Sequence, residues 1–276
     1  MAKIIKKDIL NSGVVSMEIE ATRIASKAQA GHFVMIRVDQ HGERFPLTIA
    51  DANKETGTIR IIFQVVGGST IKLNRLKVGD DVLDIVGPLG MPLHHENIRH
   101  AIVIGGGVGC AIAYPHAKAL KQQGSKVSFI AGFRNKDLFI LKEDIEATAD
   151  HVYFTTDDGS AYRKGFVTDV LKELLESEKD VDLVIAIGPV VMMKAVSNVT
   201  RLLNIKTVVS LNPIMIDGTG MCGGCRVKVG NEYKFACVDG PEFDGHQVDF
   251  NELMLRNSAY IQQEKHTCKL IEEETQ

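Results

Sequence analysis

No run of apolar residues in this 276-residue chain approaches the roughly 18 that a membrane-spanning helix requires, which argues against an integral membrane protein. The chain opens Met1-Ala2-Lys3 with no apolar segment of the secretory kind, so a cytoplasmic location with reduced thiols is expected. A net charge of -3, with the signs interspersed, offers no basic face to nucleic acid or anionic lipid. Internal repeats and low-complexity stretches are also lacking. Cysteine is sparse, and its odd count of 5 suits a set of disulfides poorly. With 45% hydrophobic residues, the length predicts two or three ordinary globular domains.

Three of the cysteines nevertheless fall close together. Asp217, Cys222, Cys225 and Cys237 follow the spacing Asp-x4-Cys-x2-Cys-x11-Cys, and five glycines lie between Gly218 and Gly230. The plant-type [2Fe-2S] loop has Cys-x4-Cys-x2-Cys with a fourth cysteine further on, and here Asp217 stands in the first cysteine's place. Glycines let the backbone wrap an inorganic core and aim amides at its sulfurs. The same donors could hold a structural zinc, and Cys110 or Cys268 could replace Asp217 as fourth ligand, although neither has the spacing.

The first hundred residues predict an antiparallel barrel. Short β-branched runs at 13–20, 32–38, 58–66 and 81–86 are divided by turn signals at 39–42, 53–57 and 78–80. From residue 99 the pattern changes to buried strands, at 101–104, 126–131, 151–155 and 183–187, alternating with helices such as 111–123 and 165–176. This predicts a Rossmann-like parallel sheet over 99–210, preceded by a barrel over 1–98 and followed over 211–276 by a compact cysteine loop with a polar terminal helix near 249–264.

At the start of the α/β region, the apolar strand Ile102-Val103-Ile104 runs into Gly105-Gly106-Gly107-Val108-Gly109 and then a helix. Amides of such a turn and the helix amino end can hold a pyrophosphate. Arg134 follows the second strand where a simple dinucleotide fold would carry an acid.

Together with Arg44-Phe45-Pro46-Leu47-Thr48, Val66-Gly67-Gly68-Ser69-Thr70 and Gly188-Pro189-Val190-Val191-Met192, this turn resembles the ferredoxin-NADP reductase superfamily. With the cysteine loop included, the whole chain resembles the small electron-transfer subunits that accompany dihydroorotate dehydrogenase B, sulfide dehydrogenase and bifurcating NADH-dependent ferredoxin:NADP oxidoreductase. The aspartate at the head of the loop, the segment 155–160 and the segment 245–250 resemble the last two most, since dihydroorotate-type subunits have four cysteines around the cluster.

The resemblance implies FAD, one [2Fe-2S] cluster and NAD(H) or NADP(H), and a larger iron-sulfur flavoprotein as heterodimer partner, through which ferredoxin could be served. It implies flavin contacts from Arg44, Pro46, Leu47, Thr48, Phe63, Gln64, Val65, Gly68, Ser69 and Thr70. For the nicotinamide nucleotide it implies Gly105, Gly106, Gly107, Val108, Gly109, Arg134, Asp157, Asp158, Gly159, Ser160, Gly188, Pro189 and Met192. Thr48 is expected near the flavin N5 and Cys110 where nicotinamide meets flavin, while Asp217, Cys222, Cys225 and Cys237 would hold the cluster. Arg44 departs from the pattern: it stands four residues before Thr48 rather than three, and one step along a strand reverses the face a side chain takes. Asp157 and Asp158 favour a free ribose hydroxyl, hence NAD(H), against the nearby cations Arg134, Arg163 and Lys164.

Overall fold

A computed structural model describes residues 1–92, 96–178 and 180–273. The amino-terminal part is a seven-stranded antiparallel sheet made of β1 (Ala2–Asn11), β2 (Val14–Glu20), β3 (Phe33–Arg37), β4 (Arg44–Asn53), β5 (Thr58–Gln64), β6 (Asp81–Val82) and β7 (Asp84–Leu89). Its order is β6-β1-β2-β5-β4-β3-β7. The two edge strands follow one another in sequence, so the chain steps across the seam at Leu83 and the sheet curls into a nearly closed barrel. Alternation of side chains puts Ile4, Met17, Ile19, Ile36, Ile59 and Ile61 inside, all fully buried. The single strand expected over 81–86 is thus two strands serving opposite edges, and β1 was not anticipated.

Helix α1 (Thr22–Ala25) covers one end of the barrel, and α2 (Gly68–Arg75) follows β5. The strand expected over 58–66 is therefore shorter at its end, and residues 66–70 turn into a helix. β5 stops at Gln64, and the Thr70 hydroxyl accepts from Val66 N and Gly67 N at 3.1 and 3.0 Å, capping a helix start.

The second unit is a mostly parallel sheet of β8 (His100–Gly106), β9 (Lys126–Phe133), β10 (His151–Thr156), β11 (Arg163–Lys164), β12 (Leu183–Ile187), β13 (Lys206–Ser210) and β16 (Glu242–Asp244), in the order β11-β10-β9-β8-β12-β13-β16. Helices α3 (Gly109–Gln122), α4 (Lys142–Thr148), α5 (Val167–Ser177) and α6 (Val190–Leu202) connect the strands. Strand β8 is buried along its whole length, as its unbroken apolar run requires. Strand order reverses between β8 and β12, which marks the switch point where such sheets receive ligands.

The carboxyl-terminal segment forms a hairpin, β14 (Arg226–Val229) with β15 (Glu232–Phe235), then returns to add β16 antiparallel to β13. The terminal helix expected near 249–264 is two helices, α7 (Phe250–Asn257) and α8 (Ile261–Glu273). Asp249 caps α7 by accepting from Glu252 N at 3.1 Å, as its position before the helix suggests.

These units share buried contacts. Phe33 and Met35 of the barrel, Ile102 and Ile104 of the parallel sheet, and Cys225, Cys237, Phe243 and Leu253 of the terminal segment belong to one apolar cluster. At another junction His116 of α3 meets Glu242 of β16 at 2.8 Å, both buried, and Gly31 of the barrel packs directly on that carboxylate. Among the described residues no helix is long and apolar enough to cross a membrane.

Candidate functional site

Alternation along β4 divides its residues between two faces. Phe45, Leu47 and Ile49 turn toward the barrel interior, so Arg44, Pro46 and Thr48 share the outer face. Across the ladder these three stand opposite Arg37, Met35 and Phe33 of β3. Thr48 is half-buried there, and Pro46 lies against a strand that packs on the terminal segment.

Arg44 does not reach toward α2. Its guanidinium lies 3.0 Å from the Asp84 carboxylate on β7, an exposed ion pair on the other side of β3. Phe45, one step along, lines a small cavity of about 70 Å3 with Val38, His41, Gly68, Ser69 and Lys72. Gly68 and Ser69 open α2, so their amides are free of intrahelical partners, and Lys72 adds a cation one turn later. Thr70 uses its hydroxyl within the turn, donating to Gly67 O at 2.9 Å as well as accepting. Phe63 is buried inside the barrel, Gln64 is exposed at the end of β5, and Val65 N donates to Gly13 O at 2.8 Å.

The glycine turn lies at the switch point. Gly107 N donates to Gly132 O at 2.8 Å, and Gly109 abuts the next loop so closely that an added Cβ would fall 2.4 Å from Ile187 O and 2.8 Å from Gly188 Cα. Only glycine permits this approach. Gly105, Gly106 and Gly109 are buried, Gly107 and Val108 half-buried. Met192, in the first turn of α6, lies against Gly106, Gly188 is half-buried and Pro189 is exposed, so the two predicted loops lie side by side. Cys110 is fully buried beneath Gly105, and burial pushes its thiol well above the usual cysteine range. It fills core space directly under the glycine turn.

At the next strands, Asp157 N donates to Phe133 O at 3.0 Å and Asp158 N to Arg134 O at 3.3 Å, which brings Arg134, Asp157 and Asp158 together, all exposed. Asp158 accepts from Ser160 N at 2.8 Å, and the Ser160 hydroxyl, with this backbone contact, holds its carboxyl below the usual range. Ser160 Oγ in turn accepts from Lys136 N at 2.8 Å, and Gly159 lies exposed between them. Arg163 is tied to Glu173 through two guanidinium contacts, one of 2.6 Å, which removes one of the neighbouring cations. Lys164 remains exposed beside Gly159.

In the cysteine loop, Cys225 and Cys237 are buried with their Sγ atoms 3.2 Å apart, and Cys222 is exposed. Burial, with the Cys225 contact, pushes the Cys237 thiol up to about 12. Cys222 Sγ accepts from Gly224 N at 3.4 Å. Asp217 accepts from Thr219 N at 2.9 Å and from the Thr219 hydroxyl, which hold its carboxyl below the usual range with a smaller contribution from Arg44. Among the described residues, no three His, Cys, Asp or Glu side chains converge on a single ion-sized point. A [2Fe-2S] cluster divides its ligands between two irons, so a close thiol pair with further donors on the same loop fits it. Cys268 lies away from this loop, its sulfur 3.9 Å from Val66 O. Gly218, with φ of +85°, packs on the barrel: an added Cβ would fall 2.5 Å from Met35 Cγ.

The α2 amino end, the contact of Met35 with Gly218, and the hold that α7 takes on the loop through an Arg256 contact to Gly224 O were beyond sequence reasoning. The Gly67-x-x-Thr70 cap was the available signal for the first.

Comparison with known proteins agrees with this geometry. The iron-sulfur cluster binding domain of dihydroorotate dehydrogenase B matches residues 212–249, and the oxidoreductase NAD-binding domain matches residues 103–198. The first match favours iron-sulfur over structural zinc. A Thermotoga maritima protein, called a homolog of the dihydroorotate dehydrogenase B (NAD(+)) electron transfer subunit, is 46% identical over 95% of this chain and 93% of its own. The electron transfer subunit of that enzyme from Caldanaerobacter subterraneus is 34% identical over 90% of this chain and 98% of its own. A solved structure of NADH-dependent reduced ferredoxin-NADP oxidoreductase, from work on flavin-based electron bifurcation, superposes with a TM-score of 0.93 at 44% identity, covering 98% of both chains. The ferredoxin reductase of carbazole 1,9a-dioxygenase shares the fold at a TM-score of 0.60 and 22% identity over 74% of this chain and 64% of its own. The chain thus belongs to the family of dihydroorotate dehydrogenase B electron transfer subunits and their homologues, oxidoreductases with a ferredoxin reductase-like fold.

Proposed function

We propose that this chain is the FAD- and [2Fe-2S]-bearing electron-transfer subunit of a heteromeric oxidoreductase, working between a nicotinamide nucleotide and a larger iron-sulfur flavoprotein subunit. The observation that carries this reading is Met35. It stands opposite Pro46 on the flavin strand and touches Gly218 at the head of the cysteine loop, so one side chain links the two expected cofactor sites.

Bound FAD would supply the exchange between hydride and single-electron chemistry. The chain's own residues then bind and orient. The amino end of α2, with Gly68, Ser69 and Lys72, receives the flavin diphosphate, and the outer face of β4 at Pro46 and Thr48 presents backbone and hydroxyl to the ring edge. The glycine turn and the amino end of α3 take the nicotinamide pyrophosphate, and Met192 and Pro189 lie beside that turn. Asp217, Cys222, Cys225 and Cys237 hold the cluster. Asp157 and Asp158 disfavour a ribose phosphate, and the commitment of Arg163 to Glu173 adds to that, so NAD(H) is the nucleotide.

The small subunit of an NADH-dependent ferredoxin:NADP oxidoreductase is the favoured assembly. The solved structure of that enzyme superposes over 98% of this chain at 44% identity, and Asp217 stands where the resemblance gives dihydroorotate-type subunits a cysteine. Purification of the native complex identifies the large chain and tests the choice. Co-purification of a larger iron-sulfur flavoprotein that reduces NADP supports it, whereas dihydroorotate-dependent NAD reduction assigns the chain to the other assembly.

A further inference from the structure

Helix α7 is fastened to the cysteine segment at both ends. At its start Asp249 N donates to Lys228 O of β14 at 2.9 Å, and at its finish Asn257 Nδ2 donates to Asn212 O at 3.3 Å. Between them Leu253 is buried in the same cluster as Cys225 and Cys237, and Tyr233 of the hairpin donates to Glu252 at 3.3 Å. Arg256 lies one turn beyond Leu253 on this packed face. Its Nη2 donates to the carbonyl of Gly224 at 3.1 Å.

Gly224 sits inside the Cys-x2-Cys turn, and its own N–H is the group that donates to Cys222 Sγ at 3.4 Å. A guanidinium bonded to the Gly224 carbonyl holds the Gly224–Cys225 peptide plane, which adjoins the plane whose N–H meets Cys222 Sγ, at a residue with little conformational preference of its own. An arginine in the last turn of a helix is ordinarily explained by the helix dipole. That explanation accounts for the charge but not for a bond to a glycine whose amide faces a ligand sulfur.

Resting on the [2Fe-2S] reading above, we propose that Arg256 is a positioning residue for the cluster: it holds the Cys222–Cys225 turn in its binding shape and, as a fixed cation beside that turn, raises the cluster's reduction potential. Hydrogen bonds to the sulfurs and net charge are the levers by which protein sets such potentials, and a nearby cation stabilises the reduced, more negative form. Glu252, one turn away and bonded to Tyr233, Asp217, bonded to Thr219, and Asp239, bonded to Phe235 N, keep their charges in wild type and variants alike, so a comparison at position 256 reads the arginine.

The test uses the full chain with its cofactors. Iron and sulfide content, chelator-driven cluster release, and a redox titration followed by electron paramagnetic resonance are measured for wild type, R256M and R256K. The expected result for R256M is faster release and about a tenfold smaller reduced fraction at fixed potential, a downward shift of ~59 mV for one electron. R256K, which keeps the charge but not the fork, should recover most of the potential and release its cluster faster than wild type. If R256M fails to fold, R256K decides alone by that combination. Wild-type potential and release rate in the folded variants overturn the proposal. Absence of a [2Fe-2S] signal from wild type overturns the functional reading instead, so the two failures are distinguishable.

Discussion

Gly218 of the cysteine loop lies so close to Met35 of the flavin barrel that a single added carbon would fall 2.5 Å from Met35 Cγ. Its φ of +85° independently disfavours any other residue. Gly218→Ala is therefore expected to cost on the order of 2 kcal/mol from backbone strain alone and to lower cluster content, because the loop must lift from β3. Iron and sulfide analysis beside thermal unfolding checks this; full cluster content at wild-type stability would show that the contact is incidental.

Arg44 gives a prediction of the opposite kind. Because its guanidinium is engaged by Asp84 rather than turned to α2, Arg44→Ala should leave FAD affinity within about threefold, less than 1 kcal/mol, the usual size for an exposed ion pair. Gly68→Val should instead eject FAD, since a branched side chain at the start of α2 blocks approach of a phosphate to the backbone. Equilibrium dialysis of FAD separates the two.

How far the sequence reached can be judged from these same residues. Periodicity exposed the barrel and the parallel sheet because β-branched runs and buried apolar runs are local patterns. The cysteine loop was legible because iron ligands must lie on a tight glycine-bearing turn. What escaped was non-local. Nothing near residue 35 says that Met35 will meet Gly218, and the burial of Cys110 depends on how tightly α3 is drawn under Gly105. The barrel and the loop looked like separate units in sequence, whereas Phe33, Met35, Cys225 and Cys237 share one core.

That shared core changes what the cysteine variants should do. Cys222→Ala, at an exposed position, is expected to abolish the cluster with FAD retained and stability little altered. Cys225→Ala and Cys237→Ala should also abolish it and cost on the order of 1 kcal/mol each as buried groups are lost. Asp217→Cys should keep a cluster of altered potential and spectrum. If Asp217→Ala leaves both untouched while Cys268→Ala removes the cluster, the assignment of Asp217 is wrong.

Thiol reactivity of the cluster-free protein follows from burial. Cys237 is pushed up to about 12, so at neutral pH it is protonated, and the reactive thiolate appears only as pH rises toward that value. Cys222 is exposed and should alkylate first, with Cys225 and Cys237 at least tenfold slower at pH 7.5. Mass spectrometry of a timed iodoacetamide reaction reads the order, and equal labelling of the three would contradict this placement of the loop.

Thr48 presents its hydroxyl on the outer face of β4, where the flavin ring edge is proposed to lie. Thr48→Val keeps the volume and removes the hydroxyl, so FAD should remain bound while its reduction by NADH slows by ten- to a hundredfold, a change of roughly 1.4 to 2.7 kcal/mol in the barrier. Stopped-flow measurement of flavin bleaching gives the rate, and an unchanged rate would remove Thr48 from the reaction.

The most direct test of the whole account is an anaerobic titration of the purified chain with NADH and, separately, NADPH, followed by visible absorption and electron paramagnetic resonance. The account predicts a brown-yellow protein whose flavin band bleaches with NADH in preference to NADPH, followed by the signal of a reduced [2Fe-2S] cluster. A colourless, zinc-containing protein indifferent to both nucleotides would contradict it.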